Sequence, residues 1–239
     1  MPVHLLSDAL LFPPPEGASP EGIVAVGGDT SPERLRLAYG QGIFPWPVEG
    51  YPLLWFCPDP RFVLRLGELH VGRSLRKAIR RAPYAIRFDT AFSEVMAACA
   101  EVPRPGQSGT WITPELEAGF AALHAEGIAH SVEAWEGDTL VGGLYGVSLG
   151  LAFFGESMFA LRPDASKIAF ATLGAQLRQW GFHFVDAQVH TPHIQRFGAR
   201  DIPREDFLRA LGTALATETR LGPWSLELDA DQVLETLSG

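Results

Sequence analysis

The sequence predicts an α+β fold, for three reasons. Residues 130–154 are rich in β-formers and double back twice, at Gly137-Asp138 and at 148–150, as strands of an antiparallel meander do. A helical stretch over 166–180 follows, and Gly181 stops it. A further strand pattern, 183–189, comes directly afterwards, so strands and helices are grouped rather than strictly alternating.

The other elements follow in chain order. The first sixty residues are rich in Gly, Pro and aromatics. Within them Ser31-Pro32-Glu33 opens a short helix, with serine as the cap and proline in the first turn; the helix stops near Gly40. Pro58-Asp59-Pro60 reads as a boundary. Beyond it, strands are expected over 62–65, 84–88, 130–135, 139–147, 151–154, 183–189 and 224–228. Helices are expected over 73–81, 91–101, 114–126, 166–180 and 204–216.

Composition narrows the class. The chain has 239 residues, 46% apolar and 20% charged, enough to bury a real core. A formal charge of −9 argues against a general nucleic-acid binder, so any RNA contact must come from a local patch. Cys57 and Cys99 lie far apart; they form no disulfide framework and no zinc site, and suit a reducing cytosol. The N-terminus has no basic region and runs into Pro13-Pro14-Pro15, so no signal peptide is expected. The uncharged run 140–155 is shorter than the ~20 residues of a membrane helix, and its glycines suit paired buried strands.

Several polar features need a reason. Residues 70–81 contain five Lys or Arg and no acid. At about 100° per residue, Arg73, Arg76, Lys77, Arg80 and Arg81 share one face, opposite Val71, Leu75, Ala78 and Ile79. Such a stripe can meet phosphates, and a merely solvated amphipathic face is the plain alternative. Glu156 interrupts the aromatic run GLAFFGESMF, where a charge is costly. Asp186 and Gln188 would point to one face if their strand alternates, and need partners or a task. Gly155-Glu-Ser157 lacks the second glycine of a nucleophile elbow, and Ser74-Leu-Arg-Lys77 lacks the companion motifs of a β-lactamase. His190 and His193 flank Pro192 with no third ligand, so no metal site is expected.

The segments FPPPEG, GGDTSPERLRLAY, GIFPWP, LLWFCPDPR, GRSLRKAIRR, GTWIT, FFGESMF, DASK, DAQ and GARDIPREDF run in order over residues 12–207. Together they closely resemble the leucyl/phenylalanyl-tRNA–protein transferases. That resemblance implies a cytoplasmic enzyme moving Leu, Phe or Met from aminoacyl-tRNA to proteins with N-terminal Arg or Lys, marking them for degradation. It implies an acetyltransferase-like (GNAT) domain over 61–239 and a small N-terminal α/β domain over 1–60. No pyrophosphate loop of coenzyme A-dependent relatives is present, consistent with tRNA as donor and no cofactor. Two positions depart from the family: Ala187 stands where a cysteine is frequent, and Gln195-Arg-Phe197 where a small, serine-containing segment is expected.

The resemblance also implies roles. Gln188 would contact the acceptor amine, with Asp186 orienting it. Glu156 would select the acceptor's cation or hold the terminal ribose. Leu144, Phe153, Gly155, Met158, Leu173, Leu177 and Val185 would surround the transferred side chain. Trp46 and Trp111 would hold the terminal adenosine, and the stripe from Arg73 to Arg81 the acceptor stem. A monomer is expected, since no heptad or long exposed apolar stripe appears. The rivals are a transferase with another acceptor, or a non-catalytic RNA- or peptide-binding module.

Overall fold

The computed structural model describes residues 4–48, 50–102 and 112–237. Its first part contains β1 (His4–Leu6), β2 (Ile23–Gly27), α1 (Pro32–Gly40), β3 (Phe44–Trp46) and β4 (Leu54–Phe56). The four strands form one sheet in the order β1-β2-β4-β3, with β1 parallel to β2 and the other pairs antiparallel. The Ser31 side chain accepts from the Arg34 N–H, satisfying a donor that a helix start leaves open.

The second part contains β5 (Arg61–Arg65), α2 (Arg73–Arg81), β6 (Ala85–Phe88), α3 (Phe92–Glu101), α4 (Pro114–Ala125), β7 (Ala129–Glu136), β8 (Thr139–Leu149) and β9 (Ala152–Ala160). It continues with α5 (Ala165–Gln179), β10 (Phe184–Asp186), α6 (Pro192–Gln195), β11 (Arg200–Ile202), α7 (Arg204–Ala214) and α8 (Ala230–Thr236). Seven of these strands form a sheet in the order β11-β5-β10-β9-β8-β7-β6. All its pairs are antiparallel except β9 with β10. The fold is therefore mixed α+β with two sheets.

The large sheet is covered on both faces. Leu144 and Phe153 pack with α5 and α2, whereas Tyr145 and Phe154 pack with α1, α3 and α4. Burial on both sides explains why β8 and β9 read as continuous apolar runs rather than alternating ones. No helix among the described residues is long and apolar enough to cross a membrane.

Three strand expectations need correction. Residues 224–228 form no strand, because side chains take their backbone donors: Trp224 N–H goes to Asp89 and Glu227 N–H to Gln176. The strand expected over 183–189 ends at Asp186, because Gln188 adopts a left-handed φ of 63°. The strand expected over 151–154 instead runs on to Ala160, through Glu156.

Candidate active site

Strands β9 and β10 pair only from Phe184↔Ala152 to Asp186↔Phe154. Beyond that point β10 has ended while β9 continues, and a cavity of about 910 Å³ occupies the gap. Its wall is largely apolar, with Leu144, Phe153, Met158, Phe170, Val185 and Ile194 among its residues.

A β-bulge brings Glu156 to this wall. Tyr145 pairs with Ser157 and Gly146 with Gly155, so Glu156 is the extra residue of β9. Bulges bend a strand and re-aim the side chain they add. Gly146 makes the close approach possible: a Cβ there would collide with the Phe154 carbonyl oxygen and meet the Phe153 ring 2.6 Å away.

Glu156 belongs to a chain of polar groups. Its Oε1 accepts from the Tyr39 hydroxyl at 2.7 Å and from Gln188 Nε2 at 2.7 Å. Its Oε2 makes no hydrogen bond among the described residues, and Glu156 lines the cavity. Burial raises the carboxyl pKa to about 7, against the lowering effect of the Tyr39 and Gln188 bonds. The same burial, with Glu156 beside it, pushes the Tyr39 hydroxyl well above its ordinary range, so it stays a donor. Because an ionised carboxylate only accepts, Gln188 must turn its NH₂ toward it. The amide oxygen of Gln188 then makes no hydrogen bond among the described residues.

Asp186 acts on the backbone. Its carboxylate receives Arg61 Nε at 2.8 Å and Arg61 Nη2 at 2.6 Å, and both side chains are 0% exposed. Asp186 Oδ1 also accepts the Gln188 N–H at 2.9 Å, fixing the left-handed turn at Gln188. Asp186 thus orients Gln188 through the main chain, and the Gln188 amide is aimed by Glu156. Arg61 is sandwiched between rings, with its guanidinium carbon 4.7 Å from the Phe44 centroid and 4.4 Å from that of Phe207.

Other expected residues separate into groups. Leu144, Phe153, Gly155, Met158 and Val185 line the cavity. Leu173 and Leu177 do not; both are fully buried in the core, because α5 is enclosed at every position from Ile168 to Leu177. Gln188 is 4% exposed and bonds to Glu156, a residue of the wall, without being among the wall residues itself. Trp46 is half-buried on the edge strand β3, next to Phe44, outside the cavity wall. Trp111 lies outside the described residues. On α2, Arg73, Lys77, Arg80 and Arg81 are exposed. Arg76 leaves that face: its guanidinium donates to the carbonyls of Val71 and Leu237, tying the helix to the C-terminal tail. Reading the sequence missed Tyr39 and Arg61. Arg61 carried one signal, a cation heading the strongly apolar strand β5.

The site is a polar relay at the open end of a split sheet, beside an apolar cavity: the anatomy of an enzyme that orients a small apolar group next to a reacting centre. Residues 63–212 match the leucyl/phenylalanyl-tRNA protein transferase family, and residues 28–59 match the N-terminal domain of the same family. The leucyl/phenylalanyl-tRNA–protein transferase of Myxococcus xanthus is 58% identical over 97% of this chain and 100% of its own length. That of Nitratidesulfovibrio vulgaris is 54% identical over 96% of this chain and 98% of its own. Among solved structures, L-PGS from Bacillus licheniformis reaches a TM-score of 0.37 at 11% identity, covering 67% of this chain and 51% of that one. The chain belongs to the leucyl/phenylalanyl-tRNA–protein transferase family. It is an aminoacyltransferase with aminoacyl-tRNA as donor and a protein as acceptor.

Proposed function

We propose that this enzyme moves Leu, Phe or Met from aminoacyl-tRNA to the α-amine of proteins beginning with Arg or Lys, marking them for degradation in the cytoplasm. It works as a monomer, with an acetyltransferase-like domain over 61–239 and a small N-terminal domain over 1–60. The observation that carries this reading is the Glu156–Gln188 contact at 2.7 Å beside the apolar cavity.

The donor ester is already activated, so no covalent enzyme intermediate is needed. The acceptor α-amine, with a pKa of about 8, is partly neutral near pH 7. It attacks the ester carbonyl; the new C–N bond forms, the C–O bond to the ribose breaks, and a proton passes to the departing ribose oxygen. Gln188 turns its free amide oxygen to an N–H of the amine, which points the lone pair at the carbonyl. Positioning of this kind supplies several kcal/mol of the barrier reduction. Asp186 holds the Gln188 backbone with Arg61 behind it.

The cavity takes the transferred side chain between Leu144, Phe153, Met158 and Val185. Methionine lets it accept Leu, Met and Phe alike. Glu156 Oε2 meets the cation of the acceptor's first residue. Trp46 and Trp111 flank the terminal adenosine, and Arg73, Lys77, Arg80 and Arg81 take acceptor-stem phosphates.

The test is a transfer assay with radiolabelled Leu-tRNA and two peptides, one starting with Arg and one with Ala. Label on the Arg peptide alone is expected, and Glu156→Gln should narrow the gap between the two. Equal label on both peptides in the native enzyme, or an unchanged gap in E156Q, would remove Glu156 from acceptor selection.

A further inference from the structure

A second cavity, of about 220 Å³, adjoins the first. Asp164, Lys167 and His193 line both, so the two are neighbours along one wall. The smaller one also has His70, Ser74 and Arg196 in its wall, at the junction of the first turn of α2, the start of α5 and the end of α6.

Its chemistry suits an anion. The one carboxylate, Asp164, is already paired with Lys167 at 2.6 Å. Arg196 is exposed, and its side chain makes no hydrogen bond or ion pair among the described residues; its backbone N–H goes to the Ile194 carbonyl. His193 Nε2 is shielded from solvent and has no hydrogen-bond partner there. Burial, then Lys167 and Arg196, hold the His193 pKa below its ordinary value, so the ring is neutral and can offer one N–H. The α2 helix starts without a side-chain cap or an acid in its first turn, adding backbone donors. The volume suits one phosphate group rather than a nucleotide.

Position suggests which phosphate. The exposed cations of α2 begin at this cavity, and its far side leads to the wall shared with the main cavity. A strand joining an acceptor stem on α2 to an ester in the main cavity must pass here. We propose that the second cavity binds one internucleotide phosphodiester of the donor's single-stranded 3′ end, with Arg196 as its principal charged contact. This rests on the reading that aminoacyl-tRNA enters the main cavity.

The experiment crosses a protein change with an RNA change. Steady-state transfer to an Arg-starting peptide is measured with Leu-tRNA donors carrying a neutral methylphosphonate at each linkage of the single-stranded 3′ end in turn. The enzymes are native, Arg196→Gln and Arg196→Lys. With the natural donor, R196Q should raise KM about fivefold to tenfold with little change in kcat, and R196K should recover most of it. At one linkage the methylphosphonate should penalise the native enzyme similarly but add little to R196Q. An unchanged KM in R196Q, or penalties that add at every linkage, overturns the proposal while native transfer stands. Absence of transfer from natural Leu-tRNA overturns the parent reading and this inference with it.

Discussion

Arg61→Met tests whether the buried ion pair is the anchor of the site. Arg61 gives two charge-assisted bonds to Asp186, at 2.8 and 2.6 Å, and neither side chain touches water. Removing one partner of such a pair strands a buried charge and costs about 3–5 kcal/mol. Methionine refills most of the space between Phe44 and Phe207, so little of that loss is cavity. Total stabilities run at about 5–15 kcal/mol, so a fifth or more would go. With a urea slope of roughly 2–3 kcal/mol per molar, a loss of ~4 kcal/mol lowers the midpoint by roughly 1.3–2 M. The double variant R61M/D186L strands no charge and should recover most of the shift. It should nevertheless stay poor in transfer, because the Gln188 N–H loses its acceptor. A midpoint shift under about 0.5 M for R61M at unchanged slope, or a double variant no more stable than the single, would refute the anchoring role.

Four further outcomes are expected. Transfer to an Arg-starting peptide should begin to rise as pH passes about 7, because Glu156 ionises there rather than at its ordinary 4.5; E156Q should lose that earlier limb of the profile and keep only the rise at about pH 8 from the acceptor amine itself. The sign for stability is opposite: a carboxyl with a raised folded pKa favours the fold below its ordinary pKa and loses that contribution as pH rises to about 7, so E156Q should gain on the native enzyme across that window in urea midpoints. Tyr39→Phe removes a bond that lowers the Glu156 pKa, so the limb should move to higher pH; an unmoved limb would detach Tyr39 from the relay. Gly146→Ala should cost about 1–3 kcal/mol by overpacking and lower transfer through the displaced bulge, seen as a lower melting temperature and rate together.

Periodicity made the meander and most helices legible: the stripe expected over 73–81 is α2, and Ser31 caps α1 as its sequence suggests. It fails where a side chain overrides the ladder. Gln188 turns left-handed because Asp186 bonds its backbone, and the tail at Trp224 is held by Asp89. Glu156 stood out as an anomaly, but a bulge depends on the register of two strands and leaves no mark in one of them. Leu173 and Leu177 show what apolarity cannot tell: a core residue and a cavity residue have the same hydropathy. Tyr39 and Arg61 were hidden for another reason. Their partners lie 117 and 125 residues away, and nothing local distinguishes such a Tyr from core or such an Arg from a solvated end.

Those separations matter during synthesis on the ribosome. At roughly 5–20 residues per second, about 6–25 s pass between the making of Arg61 and of Asp186, its partner 125 residues later. Throughout that interval Arg61 must keep its charge in water, and Phe44 cannot close over it without stranding that charge. Strand β5 pairs on both edges with β10 and β11, which are made later still or at the same time. The first third of the nascent chain therefore exposes an apolar strand while it waits, and chaperones that shield such edges are the natural companions of its birth.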